Sequence, residues 1–321
     1  MSAPLATLEG LPGDNSRGWS PWRVMRHNVA ASIGFAILIG SILAAIAAPL
    51  LAPTDLYQKM GPGFDPPSGA HPLGLDDGGQ DIRTLLLYST RATLMVGFGA
   101  TLIAVVIGTL VGVIAGYSAG RTEGLLMRIT DFFLVIPEVP LMMIIAAVWG
   151  TGLLKLIVVI GLILWTWTAR VIRAQSKSIR ERIYVRRASA IGAGHFHVIT
   201  RHVLPQLTPL ILVNAVLAFA VAVFDETALS FLGLGDPSLP SLGRMIALAS
   251  GGGAVSNNAW WAILYPGLVV TAIILSLTMI GTALEDALNP RLKVSHLSRR
   301  HFRVLPSRLP LGDAADDKAS R

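Results

Sequence analysis

Two adjacent carboxylic acids, Asp225 and Glu226, lie within an otherwise apolar run of the sequence. An ionisable group costs free energy in lipid, so residues of this kind are functional candidates by default. Successive positions on a helix are about 100° apart, and the two side chains therefore cannot point in the same direction. We expect one acid to line a pathway or meet a basic partner and the other to face a neighbouring subunit, with a structural or gating role favoured over substrate contact.

Two further acids, Asp131 and Glu138, bracket the start of another apolar segment, where Pro137 loosens the first helical turns. We expect Asp131 to pair with Arg128 or to cap a helix N-terminus. Arg244 lies in a later loop, where it either faces acidic groups on an external protein or is simply solvated.

A metal or catalytic centre is not predicted. His71, Asp76 and Asp77 are close in sequence, but no further ligand follows at a suitable spacing. The chain has no cysteine, which excludes disulfides and thiolate sites. No arrangement of nucleophile, base and acid stands out. The sequence also lacks the GxxxxGK[ST] loop that cradles phosphates, so we expect the chain to bind no cofactor and to be no enzyme.

The elements that must position these residues are membrane helices. Of the 321 residues 53% are hydrophobic and only 14% are charged, whereas a soluble domain carries about 25% charged residues. Six segments are long and apolar enough to span a bilayer. We therefore predict an all-α polytopic membrane protein with spans at Val29–Leu51, Ala92–Tyr117, Phe132–Trp149, Leu153–Ala169, Leu210–Leu232 and Ala262–Leu284.

The basic residues set the expected orientation. Of the 26 Lys and Arg residues, 21 fall on the side of the N-terminus and five on the other side. Cytoplasmic loops carry this kind of excess, so both termini are expected to be cytoplasmic. The net charge of +7 is thereby explained by topology, and no nucleic acid partner is expected.

The largest group of basic residues lies in residues 170–209, here called the basic loop. It holds eight Lys or Arg residues and one acid, Glu181. Apolar residues at three- and four-residue spacing predict two short amphipathic helices, broken at Gly192-Ala193-Gly194 and closed at Pro205. The pattern alone leaves two interpretations open, an interfacial helix pair on anionic lipid or a docking element for a soluble partner.

The basic loop resembles the signature loop of binding-protein-dependent ABC importer permeases. The matching residues are Tyr184-Val185-x-x-Ala188-x-Ala190-x-Gly192-Ala193 and Arg201-His202-Val203-Leu204-Pro205. The chain is more narrowly similar to the C-type permease of the dipeptide, oligopeptide and nickel class through His71-Pro72-Leu73-Gly74-x-Asp76-Asp77, Leu229–Gly235, Ala259-Trp260-Trp261 and Asp286–Leu292. It departs from the family at Arg186 and Arg187, where Glu and Ala are usual.

The resemblance implies a type I importer permease in a bacterial or archaeal cytoplasmic membrane. The implied partners are a second permease, two cytoplasmic nucleotide-binding subunits, which carry ATP and Mg, and an extracytoplasmic substrate-binding protein. It also implies an ATPase-coupling role for residues of the basic loop, namely Tyr184, Arg186, Arg187, Ala188, Gly192, Ala193, His195, Arg201 and Pro205. Asp225, Glu226 and Arg244 are the candidates for the pathway or its gate.

The expected organisation is a cytoplasmic N-terminal tail (1–28), a first helix with its outer loop (29–91), a permease core (92–286) and a basic cytoplasmic tail (287–321). Peptides are the favoured substrates. Nickel or another small solute is the alternative within the class. An ion-coupled secondary transporter is a second class of function, and a membrane enzyme or scaffold is a third.

Overall fold

The computed structural model describes residues 28–52, 56–118 and 120–288. Within these residues the regular structure is helical, apart from one isolated bridge between Leu75 and Asp81. The prediction of an all-α chain is thereby confirmed. The predicted tails, 1–28 and 287–321, lie almost entirely outside the described residues.

The described chain contains ten α-helices and one π-helical turn. In chain order they are α1 (Val29–Leu51), α2 (Ile82–Ser118), α3 (Gly120–Val135), α4 (Glu138–Trp149), α5 (Leu153–Arg180), α6 (Ile183–Ala190), α7 (His195–Val198), the π-helical turn (Ile199–Val203), α8 (Leu204–Phe231), α9 (Leu242–Gly251) and α10 (Trp260–Leu288).

Five stretches of helix in the described residues are long and apolar enough to cross a membrane. They are α1, α2, α5, α10 and the 37-residue stretch His195–Phe231, which joins α7, the π-helical turn and α8. Helices α3 and α4 together form a sixth candidate, bent by 87°. This agrees with the prediction of a polytopic membrane protein, and the predicted number of six spans is reached if the bent pair is one span. Helix α1 has the predicted bounds.

The prediction of one continuous span at Phe132–Trp149 is wrong. Helix α3 ends at Val135 and α4 begins at Glu138, because Pro137 between them is extended, with φ −56° and ψ 126°. Proline lacks an N–H and disfavours a helical residue before it. The twelve residues of α4 rise only about 18 Å, so α4 needs α3 to complete a crossing.

Helix α5 is longer than predicted. It continues past Ala169 to Arg180, so the first part of the basic loop is helical. Ile172, Ser176 and Ile179 are buried along this extension. Their three- and four-residue spacing is that of an amphipathic helix. A search for continuous apolar runs does not detect this pattern, so the predicted span ends at Ala169.

The second helix of the basic loop does not end at Pro205, contrary to the prediction. The π-helical turn lies directly before this proline. It shifts the backbone hydrogen bonds by one residue, and the helix continues into α8. Helix α2 likewise begins at Ile82, ten residues before the predicted start of its span at Ala92.

Helices α2 and α5 pack closely against each other through three glycines of α2. Gly108, Gly112 and Gly116 lie four residues apart along one face of α2. A Cβ added at Gly112 would lie 2.6 Å from the carbonyl oxygen of Ala169, and one at Gly108 would lie 2.5 Å from the Cβ of Thr168. Small residues let two backbones approach in this way. Both helices of this pair also pack against the basic loop.

At the end of the bundle opposite the basic loop, α9 packs against α8 and α10. The composition of residues 233–261, rich in Gly, Ser and Pro, favours an irregular loop, but Ser241 starts a helix there by accepting a hydrogen bond from the Arg244 amide at 3.3 Å. The indole N–H of Trp261 donates to the carbonyl oxygen of Leu75 at 3.3 Å, which holds the loop before α2 against α10.

Candidate functional site

The basic loop folds as a helix, a glycine turn and a second helix, as the sequence predicts. The break occurs at Gly192, which has φ +89°. The amide of Ala193 then donates to the carbonyl oxygen of Ala188 at 3.1 Å, closing the end of α6. A Cβ at Gly192 would meet nothing within 4 Å. The glycine is therefore required for its backbone conformation and not for space.

One face of the basic loop is anchored in the bundle. Val185, Val198 and Val203 are buried in a cluster with residues of α2 and α5. Ala188 and Ala193 are half-buried and pack against the same cluster. A displacement of this loop would consequently be transmitted to both helices, because packed interiors deform little.

The opposite face of the basic loop is apolar and unpaired within the described chain. Ile191 is 87% exposed, Phe196 81% and Ile183 70%. The predicted coupling residues that are also exposed are Tyr184, Arg186, Arg187, Gly192, His195, Arg201 and Pro205. An exposed apolar patch rimmed by charge is typical of an interaction surface.

His195, a predicted coupling residue, bonds to the end of α2. Its Nδ1 lies 3.3 Å from the hydroxyl oxygen of Tyr117. Arg180, at the end of α5, donates to the backbone carbonyl of Tyr117 at 3.1 Å. Sequence reasoning missed Tyr117 and Arg180. The available signal was position in the sequence, since Tyr117 ends the predicted span Ala92–Tyr117 and Arg180 lies within the basic loop.

Ion pairs join α3 to α5 beside this junction. Glu123 accepts from Arg173 and, at 3.4 Å, from Lys177. Asp131 pairs with Arg170 at 2.6 Å. The prediction that Asp131 pairs with Arg128 or caps a helix is therefore wrong, because Asp131 lies inside α3, which packs against α5. The basic residues of α5 recur at three- and four-residue spacing, a pattern that points to the acids of a neighbouring helix.

The two intramembrane acids are both buried inside the chain. Glu226 is 1% exposed and accepts hydrogen bonds of 2.8 Å from the hydroxyls of Thr93 and Ser230. Asp225 is 3% exposed, and its Oδ2 has no hydrogen-bond partner among the described residues. Neither acid forms an ion pair there, so the basic partner considered for one of them is not found in the described part of the chain.

Arg244 lies on α9, at the end of the bundle opposite the basic loop and its predicted coupling residues. Its guanidinium donates to the carbonyl oxygens of Asp236 and Pro237 and lines a cavity of about 200 Å³ that Asp76 and Asp77 also line. Arg244 is therefore partly committed to its own loop.

The acids near this cavity have local roles. His71 pairs with Asp81 at 3.2 Å, while Asp76 accepts from the Gln80 amide at 2.7 Å. Asp236, which sequence reasoning missed, accepts from the Leu153 amide at 2.9 Å and so caps the start of α5. Among the residues that the structure describes, no three His, Asp or Glu side chains converge as metal ligands would.

Comparison with known proteins gives two family matches. Residues 108–294 match the family described as "Binding-protein-dependent transport system inner membrane component". Residues 16–67 match "N-terminal TM domain of oligopeptide transport permease C".

Individual relatives are similar over most of this chain. A dipeptide transport system permease protein of Alkalihalophilus pseudofirmus is 35% identical, covering 88% of this chain and 94% of its own. A di/tripeptide transport system permease protein of Pseudomonas aeruginosa is 32% identical, covering 85% and 91%. An oligopeptide transport system permease protein of Bacillus subtilis is 31% identical, covering 84% and 88%.

Proposed function

This chain belongs to the family of binding-protein-dependent transport system inner membrane components, and from that premise we propose that it forms half of the translocation pathway of an ATP-driven importer of di- or oligopeptides. As a permease subunit it is not itself catalytic. ATP and Mg bind instead to two cytoplasmic nucleotide-binding subunits. A second permease completes the pathway, and an extracytoplasmic binding protein delivers the peptide.

The observation that carries the proposal is the two-sided structure of the basic loop. Its inner face is fixed to α2 and α5, while Ile183, Ile191 and Phe196 project outward without a partner in the described chain. A nucleotide-binding subunit that covers these three side chains would gain apolar contact, and the surrounding arginines would favour an acidic rim on it.

The loop is then the mechanical link between ATP and the pathway. ATP binding closes the two nucleotide-binding subunits, and their closure favours one of two packed arrangements of the membrane helices. Coupling of this kind is reciprocal for binding, so delivery of a peptide at the far end also changes the affinity for ATP. A displacement of the loop is transmitted to α2 and α5 because residues of all three pack in one buried cluster.

The proposed location is a bacterial or archaeal cytoplasmic membrane with both termini inside. The excess of Lys and Arg at the basic end of the sequence supports this orientation. Peptide is the proposed substrate class because each of the three relatives described above is named for peptide transport.

Reconstitution tests the proposal. Proteoliposomes would contain this chain, its partner permease and both nucleotide-binding subunits, with the binding protein on the opposite side. We expect uptake of labelled Ala-Ala to require ATP and the binding protein together. Vesicles holding this chain alone should show no uptake with any ion gradient. Gradient-driven uptake by the single chain would overturn the proposal in favour of an ion-coupled carrier.

A further inference from the structure

A groove of about 500 Å³ lies on the surface of the bundle between α1 and α2. Helix α2 lines it with Arg91, Leu94, Met95 and Phe98, whose three- and four-residue spacing places them on one face of the helix. Helix α1 lines it with a matching face between Ile42 and Pro49. The groove is therefore a concave surface that two neighbouring helices build together.

The groove is apolar, with a packed floor and exposed rims. Leu94 is buried in its floor, whereas Ile46 and Met95 are exposed at its sides. The rings of Phe98 and of Phe219 on α8 pack edge to face with centroids 6.4 Å apart, which closes one end. A hydrocarbon chain lying in the groove would be contacted from several sides, and it would gain more dispersion energy than on a flat helix face.

The groove is about as deep as one leaflet of a bilayer. Helix α1 ends at Leu51 and α2 begins at Ile82, so the loop between them marks one membrane surface, opposite the basic loop. Arg91 is the lining residue of α2 closest to this surface and Phe98 the farthest from it. The helix rises about 10 Å between them, and the hydrocarbon of one leaflet is about 15 Å deep.

Arg91 is the one charged side chain among the described residues that line the groove. It is exposed, and within the described part of the chain it forms no ion pair and no side-chain hydrogen bond. An arginine at the edge of the hydrocarbon is costly unless its guanidinium reaches a partner. The forked donors of a guanidinium match the oxygens of a phosphate.

We propose that this groove binds one anionic phospholipid of the leaflet opposite the basic loop, with the lipid phosphate on Arg91 and one acyl chain between α1 and α2. The lipid is anionic because the described lining contains no acid that would pair with the ammonium of a zwitterionic headgroup. Helix α1 packs chiefly against α2 and α10, so a lipid in the groove adds to the contacts that hold α1. The site is independent of the transported substrate.

The test uses the tagged chain, purified from native membranes with the subunits that accompany it. Native mass spectrometry measures retention of added palmitoyl-oleoyl phosphatidylglycerol and of phosphatidylcholine with the same chains. We expect Arg91→Gln to bind one phosphatidylglycerol per copy of this chain at least about fivefold more weakly than wild type, the value of one basic residue beside an anionic headgroup. Phosphatidylcholine retention should not change. Arg83→Gln, at an exposed arginine of α2 outside the groove, is the matched control.

Two further variants separate the charge from the groove. Met95→Trp fills the groove and should remove the same lipid, whereas Leu102→Trp, at an exposed position of α2 outside it, should not. Arg91→Lys should keep the lipid, because an ammonium also binds a phosphate. Equal retention of phosphatidylglycerol in wild type and Arg91→Gln, or an equal loss in Arg83→Gln, would overturn the proposal.

Photocrosslinking shows what covers the groove without a change at Arg91. The chain has no cysteine, so Met95→Cys carries a single thiol for a benzophenone label. We expect illumination of native membranes to attach phospholipid at this position. Attachment to another protein subunit would show that protein covers the groove, and the proposal would then be wrong.

Discussion

Tyr117, near the end of α2, and His195, the first residue of α7, are joined by their side chains. The hydroxyl oxygen of Tyr117 lies 3.3 Å from Nδ1 of His195, and the two rings pack edge to face with centroids 5.7 Å apart. Arg180 holds the backbone of Tyr117 from the end of α5. Helices α2, α5 and α7 thus meet at Tyr117. A displacement of the basic loop would be transmitted to the bundle at this residue.

The Tyr117 hydroxyl is expected to contribute to coupling. Tyr117→Phe keeps the ring contact but removes a hydrogen bond worth about 1 kcal/mol. We predict that the reconstituted importer hydrolyses about two to five times more ATP per peptide transported. Tyr88→Phe, at the other end of the same helix, is the matched control. An unchanged ratio in Tyr117→Phe would show that the bond transmits nothing.

Close packing of α2 on α5 gives a second prediction. In Gly112→Leu, even the Cβ would lie 2.6 Å from the carbonyl oxygen of Ala169, so the helices must separate. Overpacking of this kind costs about 1–3 kcal/mol. We expect a lower melting temperature of the complex in detergent. In Gly40→Ala on α1 the new Cβ meets nothing within 4 Å, so that control should melt like wild type. Equal melting of both variants would refute the packing role.

Much of the fold follows from the sequence where one signal dominates. The bounds of α1 are predictable because its apolar run ends at Pro and Thr residues on one side and polar residues on the other. The part of α5 after Ala169 is not predictable in this way, because Ile172, Ser176 and Ile179 are interspersed with the basic residues of the basic loop. The passage of the chain through Pro205 depends on a π-helical turn, which leaves no pattern in the residue types.

Glu226 is expected to stabilise the bundle. Glu226→Leu removes the acceptor for two buried hydroxyls, those of Thr93 and Ser230, at a cost of about 1–3 kcal/mol for each donor left unpaired. Glu226→Gln retains one acceptor oxygen and should cost less. We predict assembly yields in the order wild type, Glu226→Gln, Glu226→Leu. Glu285→Gln, at an exposed acid, serves as control. A wild-type yield for Glu226→Leu would contradict the stabilising role of Glu226.

The loop before α2 should open more readily as pH rises. Burial raises the pKa of the Asp76 carboxyl from 3.8 to about 6, with the Gln80 amide opposing the shift and the charge of Asp77 adding to it. A raised acid pKa favours the folded loop at low pH, and that stability is lost as pH rises through about 6.

Hydrogen exchange measures this dependence. After correction for intrinsic rates, exchange of the amides near Asp76 should increase between about pH 4 and pH 7 and then level off. Asp76→Asn should abolish the change, and Asp65→Asn should retain it. Protection that grows as pH rises through this window would contradict the sign of the effect.

The candidate site was predictable in part, for an identifiable reason. The helix–glycine–helix form of the basic loop follows from local spacing around Gly192. The partners of its ends do not, since Tyr117 and His195 are 78 residues apart, and the Asp236 cap of Leu153 joins residues 83 apart. Such contacts arise from tertiary packing. Likewise, the different environments of Asp225 and Glu226 depend on which residues place hydroxyls beside each acid; for Glu226 these are Thr93 on α2 and Ser230 on α8 itself.

Co-purification from native membranes tests the central claim most directly. The tagged chain would be isolated in mild detergent and its ATPase activity measured, for wild type, Gly192→Val and Gly194→Ala. A β-branched residue is strained at the φ of +89° of Gly192, whereas Gly194 has an ordinary φ of −65°.

We predict that wild type and Gly194→Ala recover a second permease and nucleotide-binding subunits with ATP turnover. Gly192→Val should insert normally but lose most of that turnover. A wild-type chain that elutes alone and without ATPase activity would contradict the account, and so would full ATP turnover and uptake in Gly192→Val.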